Sequence, residues 1–242
     1  IKTTQQIEGI KKAAIVNSGL LDYIEKNIKA GMSTEQIDIM AKDYTKKHNA
    51  ICADYQYCGY PKHICVSVND EIVHGIPSKK RVLKEGDIVS LDAGVIHKGY
   101  HSDAARTYGI GKISDEAAKL IEVTRQSFFE GIKYAKEGCH LYEISNTIAQ
   151  YNESFGYGVI RDLVGHGIGT ELHEEPEIPN FRQDRRGIRL YEGMTLAIEP
   201  MVSAGDYKVR WLDDNWTAST FDHSLSTCAS MYLYDFQQKY YH

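Results

Sequence analysis

"LDAGVIHKGYHSD", residues 91–103, sets Asp92 and Asp103 on either side of a short turn in a run of strand-forming residues. If the two strands pair about a two-residue loop at His97 and Lys98, Ile96 faces Gly99 and partner numbers sum to 195. Asp92 then lies directly opposite Asp103 on one face, with Cβ atoms about 4.5–5.5 Å apart. Two ionised carboxylates that close destabilise a sheet unless one is protonated or a cation lies between them. From these residues alone, a slipped register that leaves both in solvent stays open.

Around this stretch the chain has the balance of a soluble globular protein, 42% hydrophobic and 25% charged over 242 residues. With 28 basic and 33 acidic residues its formal net charge is -5, which gives no footprint for nucleic acid or an anionic membrane. No apolar run approaches the roughly 18 residues of a membrane helix, and the polar opening "IKTTQQIEGIKK" is no signal-peptide pattern, so a cytoplasmic location is expected. The five cysteines, at 52, 58, 65, 139 and 228, are odd in number and form no CxxC pair. They read as reduced, mostly buried thiols rather than a disulfide framework or a zinc knuckle.

Helical periodicity over 5–29 places Ile7, Ile10, Ala14, Leu21, Ile24 and Ile28 on one face and stops at Gly31. Ser33 with Gln36 forms a capping-box start for a second helix, and Ser114 before Asp115 and Glu116 caps a third. "AICADYQY", "HICVSV", "DIVSLDAGVI", "GYHSDAARTYGI", "GMTLAIEPMV" and "YKVRWLDDNWTAST" read as strands. The segment from Gly138 matches the one from Gly31, with Glu143 on Gln36 and Ile144 on Ile37, an internal repeat offset by about 107 residues. The expectation is a single α+β domain over 1–242, built of similar halves near 1–110 and 111–242, with mostly antiparallel sheet.

Further ligand-type residues occur in unusual settings. His166 sits in "GHGIG", where the flanking glycines let the backbone approach whatever the imidazole binds, and Glu199 lies in "TLAIEP" between an apolar strand and a proline. With the aspartates they make an oxygen-rich set with one nitrogen, suited to Mn, Fe, Co or Zn. His74 in "NDEIVHGIP" and His173 in "ELHEEPE" occupy Gly- and Pro-flanked loops where functional side chains concentrate. His63, His97, His101 and His140 read as surface or turn residues. "HEEPE" lacks the second histidine of a HExxH helix, "GHGIGT" leads into no dinucleotide-binding helix, and neither GxxxxGK[ST] nor GxSxG is present.

"NDEIVHGIP", "GDIVSLDAG", "HSDAARTY", "GHGIG", "ELHEEPEIPNF" and "TLAIEPM", in this order and spacing, resemble the type I methionine aminopeptidases in their short form. The resemblance runs from about residue 2 to about 225. It implies the pita-bread fold, α+β, with two pseudo-symmetric halves around a dinuclear metal site and helices on the outside. It implies up to two divalent ions per chain, with Asp92, Asp103, His166 and Glu199 as metal ligands and Asp103 bridging. It further implies His74 and His173 as catalytic and substrate-contacting residues, Glu199 as the group taking the proton of the attacking water, and Tyr57, Tyr60, Cys65 and Trp216 as the walls of a methionine pocket. The partners implied are peptide N-termini beginning with Met, including nascent chains at the ribosome, for a monomeric enzyme. The family's fifth ligand, a glutamate in "SLSAxxExT", falls on Ser230 here, and the tail from about Thr227 shares little with that pattern. A serine supplies no bridging charge, so a weak second site and impaired activity are expected. The alternatives are an Xaa-Pro-type peptidase and a non-catalytic binding protein of the same fold.

Overall fold

The β4–β5 hairpin organises the first half of the molecule. β1 (Ile51–Cys52), β2 (Cys65–Val68), β3 (Glu71–Val73), β4 (Ile88–His97) and β5 (Tyr100–Gly109) follow two helices, α1 (Thr4–Asn27) and α2 (Thr34–Lys47). A computed structural model describes residues 1–229 in full and 231–233 by their backbone; Ser230, where the resemblance puts the missing glutamate, lies outside the described residues.

The hairpin turns at Lys98 and Gly99, with φ of 51° and 81°, and not at His97 and Lys98. A two-residue loop of this type needs positive φ at both central positions, and only a loop containing Gly99 places the glycine there. Register partners therefore sum to 197: Asp92 faces Ala105 and Asp103 faces Gly94. The aspartates are diagonal neighbours, at a spacing of about 7–8 Å for such positions rather than the direct-pair distance. The two-residue shift leaves both on the same face, because side chains alternate with a period of two.

Val89, Leu91, Ala93 and Val95 on the other face of β4 pack beneath Leu20, Leu21, Ile24 and Ile37 of α1 and α2. Each buried Val, Leu or Ile among them contributes about 1.5–3 kcal/mol. The capping boxes at Thr3 and Ser33 add about 1 kcal/mol apiece, so packing rather than capping fixes where the helices lie. Along one edge of β4, β1 pairs with Val95 and Ile96 and β2 with Val89 to Asp92. The chain between them, residues 53–64, leaves the sheet at the level of Asp92 and Gly94. "AICADYQY" is thus strand only over Ile51–Cys52; beyond Ala53 it becomes turns, because Gln56, Cys58 and Gly59 take left-handed conformations.

The second half repeats the design with α3 (Asp115–Ile132), α4 (Leu141–Ser154), β6 (Gly158–Val159), β7 (Gly165–Gly167), β8 (Glu174–Ile178), β9 (Leu196–Ile198), β10 (Met201–Ser203), β11 (Val209–Trp211), β12 (Ala218–Thr220), β13 (Ser226–Cys228) and β14 (Met231–Leu233). α2 and α4 coincide residue for residue at an offset of 107. Even the bridge between Ser33 and Val82 recurs as His140 with Arg189. Gly31 N–H donates to Leu83 O as Gly138 N–H does to Leu190 O. Phe128, Ile144 and Ile148 pack on Leu196 and Ile198, while Ile72, Ala105, Met201 and Cys228 fill the layer between the halves. "GMTLAIEPMV" splits into β9 and β10, with Glu199 and Pro200 in the break, and "YKVRWLDDNWTAST" folds back as the β11–β12 hairpin. All strand pairs among the described residues are antiparallel.

Candidate metal centre and cavity

Three of the four expected ligands meet where the halves join. Asp103 from β5, His166 from β7 and Glu199 from the β9–β10 break each present a ligand atom within 4.8 Å of the others. His166 Nε2 lies 3.3 Å from Asp103 Oδ2 and 3.2 Å from Glu199 Oε1. Asp92 stands outside this tight group. Its carboxyl is bonded side chain to side chain with Asp103, and burial followed by the charges of Asp103 and Glu199 holds it well above the usual carboxylate range.

The imidazole is set up to ligate. His166 Nδ1 is 2.8 Å from the carbonyl oxygen of Gly167, which can only accept, so Nδ1 carries a proton, and Nε2 is the ring atom whose own proton a bound cation would replace. Nε2 faces two carboxylate oxygens, and neither His166 Nε2 nor Glu199 Oε1, both buried, has a hydrogen-bond partner of acceptable geometry. Burial opposes charge on His166, yet Glu199 and Asp103 outweigh it and push the imidazole up to about 11. Orphaned buried donor atoms of this chemistry fit a divalent cation with mixed oxygen and nitrogen ligands.

The glycines of "GHGIG" act differently from the expectation. A Cβ at Gly165 would come 2.2 Å from Ala197 O, and one at Gly167 would come 2.3 Å from Glu175 O. They let β8 and β9 close on both sides of β7, and so clamp His166 from its flanks rather than opening space in front of it.

A cavity of about 340 Å³ opens above the ligand group and is lined by every site residue expected from the sequence. His74 lies at its edge in a left-handed conformation, φ 59°, with its ring edge-on to Trp216 at 6.3 Å, and burial lowers its pKa. His173 Nδ1 is hydrogen-bonded to the Tyr57 hydroxyl at 2.7 Å, and the ring lies 4.2 Å from that of His166. Burial and then the His166 charge lower His173 to about 4, so it is neutral at pH 7. Tyr60 is buried, donating to Gly75 O at 2.8 Å with its ring edge-on to Trp216, and Cys65 is buried beside Asp92, its register partner. Of the remaining histidines, His140 caps α4 and His63 pairs with Asp38 at 3.2 Å under the Tyr55 ring. Both are structural rather than loose surface groups. Cys52, Cys65 and Cys228 are buried, Cys139 half-buried and Cys58 exposed, all of them free thiols.

Asp54 escaped the reading of the sequence. Its Oδ2 accepts the Gly94 N–H at 2.8 Å, opposite Asp103 in the hairpin, and it lines the same cavity. Burial and then the Asp103 charge hold it well above the usual range, with no cationic side chain among the causes.

In the metal-free protein this has a measurable consequence. The folded state holds protons on Asp54 that the unfolded chain releases at about pH 4. The stability associated with that group therefore falls as pH rises through and above that value. Urea midpoints from pH 4 to 7 are expected to fall less steeply for Asp54→Asn than for the unaltered chain; parallel profiles would show that Asp54 ionises freely.

The comparisons with known proteins agree with the geometry. The model of metallopeptidase family M24 matches residues 8–218. The chain is 52% identical over 226 residues to the methionine aminopeptidase of Clostridium acetobutylicum, covering 93% of this chain and 90% of that protein. It is 46% identical over 221 residues to methionine aminopeptidase 1 of Bacillus subtilis, covering 91% and 89%. The crystal structure of methionine aminopeptidase from Thermotoga maritima superposes with a TM-score of 0.95 at 43% identity, covering 98% of this chain and 95% of that one. The two-halved antiparallel architecture is the pita-bread fold that the motifs led us to expect. A family match over most of its length, and relatives near half identity over nine-tenths of it, show that the chain belongs to metallopeptidase family M24.

Proposed function

We propose that the chain is a divalent-metal-dependent aminopeptidase that removes the initiator methionine from nascent proteins and peptides with a small second residue. The observation that carries this reading is the convergence of Asp103, His166 Nε2 and Glu199, with orphaned ligand atoms, on the floor of a cavity walled by Tyr57, Tyr60, Cys65 and Trp216. An apolar, aromatic and thiol-lined slot suits a polarizable thioether.

Asp92, Asp103, His166 and Glu199 would hold the metal, taken as up to two ions of Co, Mn, Fe or Zn. The chemistry such ions supply is Lewis acidity toward the scissile carbonyl and a lowered pKa for water. Glu199, whose pKa burial raises above its usual value, is placed to accept a proton from the attacking water. His173, neutral, donates toward the oxygen that becomes negative, and His74 hydrogen-bonds the scissile amide region. A confined cavity favours a small second residue. Work on nascent chains at the ribosome, a monomeric state and a cytoplasmic location belong to the same proposal; no helix among the described residues is long and apolar enough to cross a membrane.

Incubation with a Met-Ala-Ser peptide and Mn²⁺ or Co²⁺ tests the reading. Methionine release is expected, and absence of cleavage at every metal concentration would turn the chain into a non-catalytic binding protein of the same fold. With Ser230 where the motif carries glutamate, the second ion is held weakly and turnover is reduced. Ser230→Glu is expected to tighten Mn²⁺ binding by about tenfold or more in titration calorimetry and to raise turnover. Equal affinity in the two proteins would mean that position 230 does not reach the metals.

A further inference from the structure

We propose that Tyr57, beyond lining the pocket, is a positioning residue that fixes the tautomer of His173. The pair is joined at 2.7 Å through His173 Nδ1, with ring centroids 5.1 Å apart. A phenol can donate or accept here, so two arrangements are chemically available. If Nδ1 carried the proton, Nε2 would turn a lone pair toward a cavity already lined by Asp54, Asp92, Asp103 and Glu199. It would also have no hydrogen to give a substrate oxygen. If the Tyr57 O–H donates to Nδ1, the proton sits on Nε2, and the ring becomes a neutral donor aimed at the cavity.

The backbone around Tyr57 is consistent with a fixed presentation. Gln56 and Cys58, neither of them glycine, take φ of 66° and 48°, so Tyr57 stands between residues in conformations that a loop without a positional requirement seldom adopts. The excursion also starts from a pinned end, since Ala53 N–H donates to Gly94 O and Asp54 accepts from Gly94 N–H. Tyr60 closes the other end through its bond to Gly75 O. The hydroxyl is thus held against His173 from two anchored sides.

Tyr57→Phe keeps the ring and removes the donor. With Mn²⁺ and Met-Ala-Ser, kcat is expected to fall about tenfold with KM nearly unchanged, and calorimetric metal affinity should not move. In the Zn²⁺-loaded protein, ¹⁵N NMR of the His173 ring should change from a single Nε2–H form to a mixture of tautomers. The kinetic consequence rests on the peptidase reading above, whereas the ring spectrum does not. A chain that cleaves no peptide would therefore overturn that reading and leave the spectrum to decide the tautomer. Unchanged ¹⁵N shifts overturn the proposal. So does a mixed tautomer with unaltered kcat, and so does a raised KM at constant kcat, which would make Tyr57 a pocket wall and no more.

Discussion

Asp103→Asn is expected to weaken Mn²⁺ binding at least about a hundredfold and to remove peptide hydrolysis with it. Outer partners of metal ligands already cost 10–100-fold when lost, and Asp103 is the hub of the ligand group. It lies 3.3 Å from His166 Nε2, is bonded to Asp92, and adds its charge to Asp54, Asp92 and Glu199. The substitution preserves shape and deletes one charge, so the metal-free protein should respond in the opposite sense. The repulsion that Asp103 exerts on Asp54, Asp92 and Glu199 is removed, at the loss of one attraction to His166, and the metal-free melting temperature should hold or rise. Divergence of the two readouts separates a lost ligand from a damaged fold. Unchanged Mn²⁺ affinity, or a melting temperature that drops in the metal-free protein, would remove Asp103 from the centre assigned to it.

What the sequence revealed and what it hid follow from different physical rules. The faces of β4 and β5 were readable because apolar Val89, Leu91, Ala93 and Val95 alternate with Ser90, Asp92 and Gly94, which puts the apolar set against the helices and the aspartate on the opposite face. The register was not readable to the same precision, since hairpins turning at 97–98 or at 98–99 both keep the aspartates on one face. Only the positive φ at Lys98 and Gly99 separates them. Caps announced α2 and α3 because Ser33, Gln36 and Ser114 act within one turn of chain. The repeat was faint as letters yet matches residue for residue in the folded chain, because backbone hydrogen bonds such as Gly31 to Leu83 and Gly138 to Leu190 do not require like side chains.

The site divided along similar lines. Asp92, Asp103, His74, His166, His173 and Glu199 could be picked out because each sits in a local setting odd for its residue type, and the roles expected of them came from the family resemblance. The excursion over 53–64 could not, because its path depends on β1 and β2 sharing one edge of β4, a long-range fact with no local signature. That is why Asp54 was missed, and why the Tyr57 bond to His173 was unforeseen even though both residues were expected in the pocket.

His173→Ala is expected to lower turnover by about 10²–10³ while leaving metal affinity and fold nearly unaltered. The size is that of removing one donor from a site that stabilises a developing oxyanion. Three observations separate His173 from the metal ligands. It lies outside the tight group of Asp103, His166 and Glu199; its Nδ1 is committed to Tyr57; and burial together with the His166 charge keeps it neutral at pH 7. A neutral imidazole contributes little to holding a cation through space, so its loss should not register in calorimetry with Mn²⁺. It contributes more as a preorganised donor to the oxygen on which charge develops, which needs no reorganisation as the anion forms. The KM for Met-Ala-Ser should accordingly change less than kcat, since the missing bond strengthens only as charge builds on the carbonyl oxygen. Loss of bound metal from His173→Ala would instead show that the ring completes the ligand set, and the roles of His166 and His173 would have to be redrawn around a site with two imidazoles.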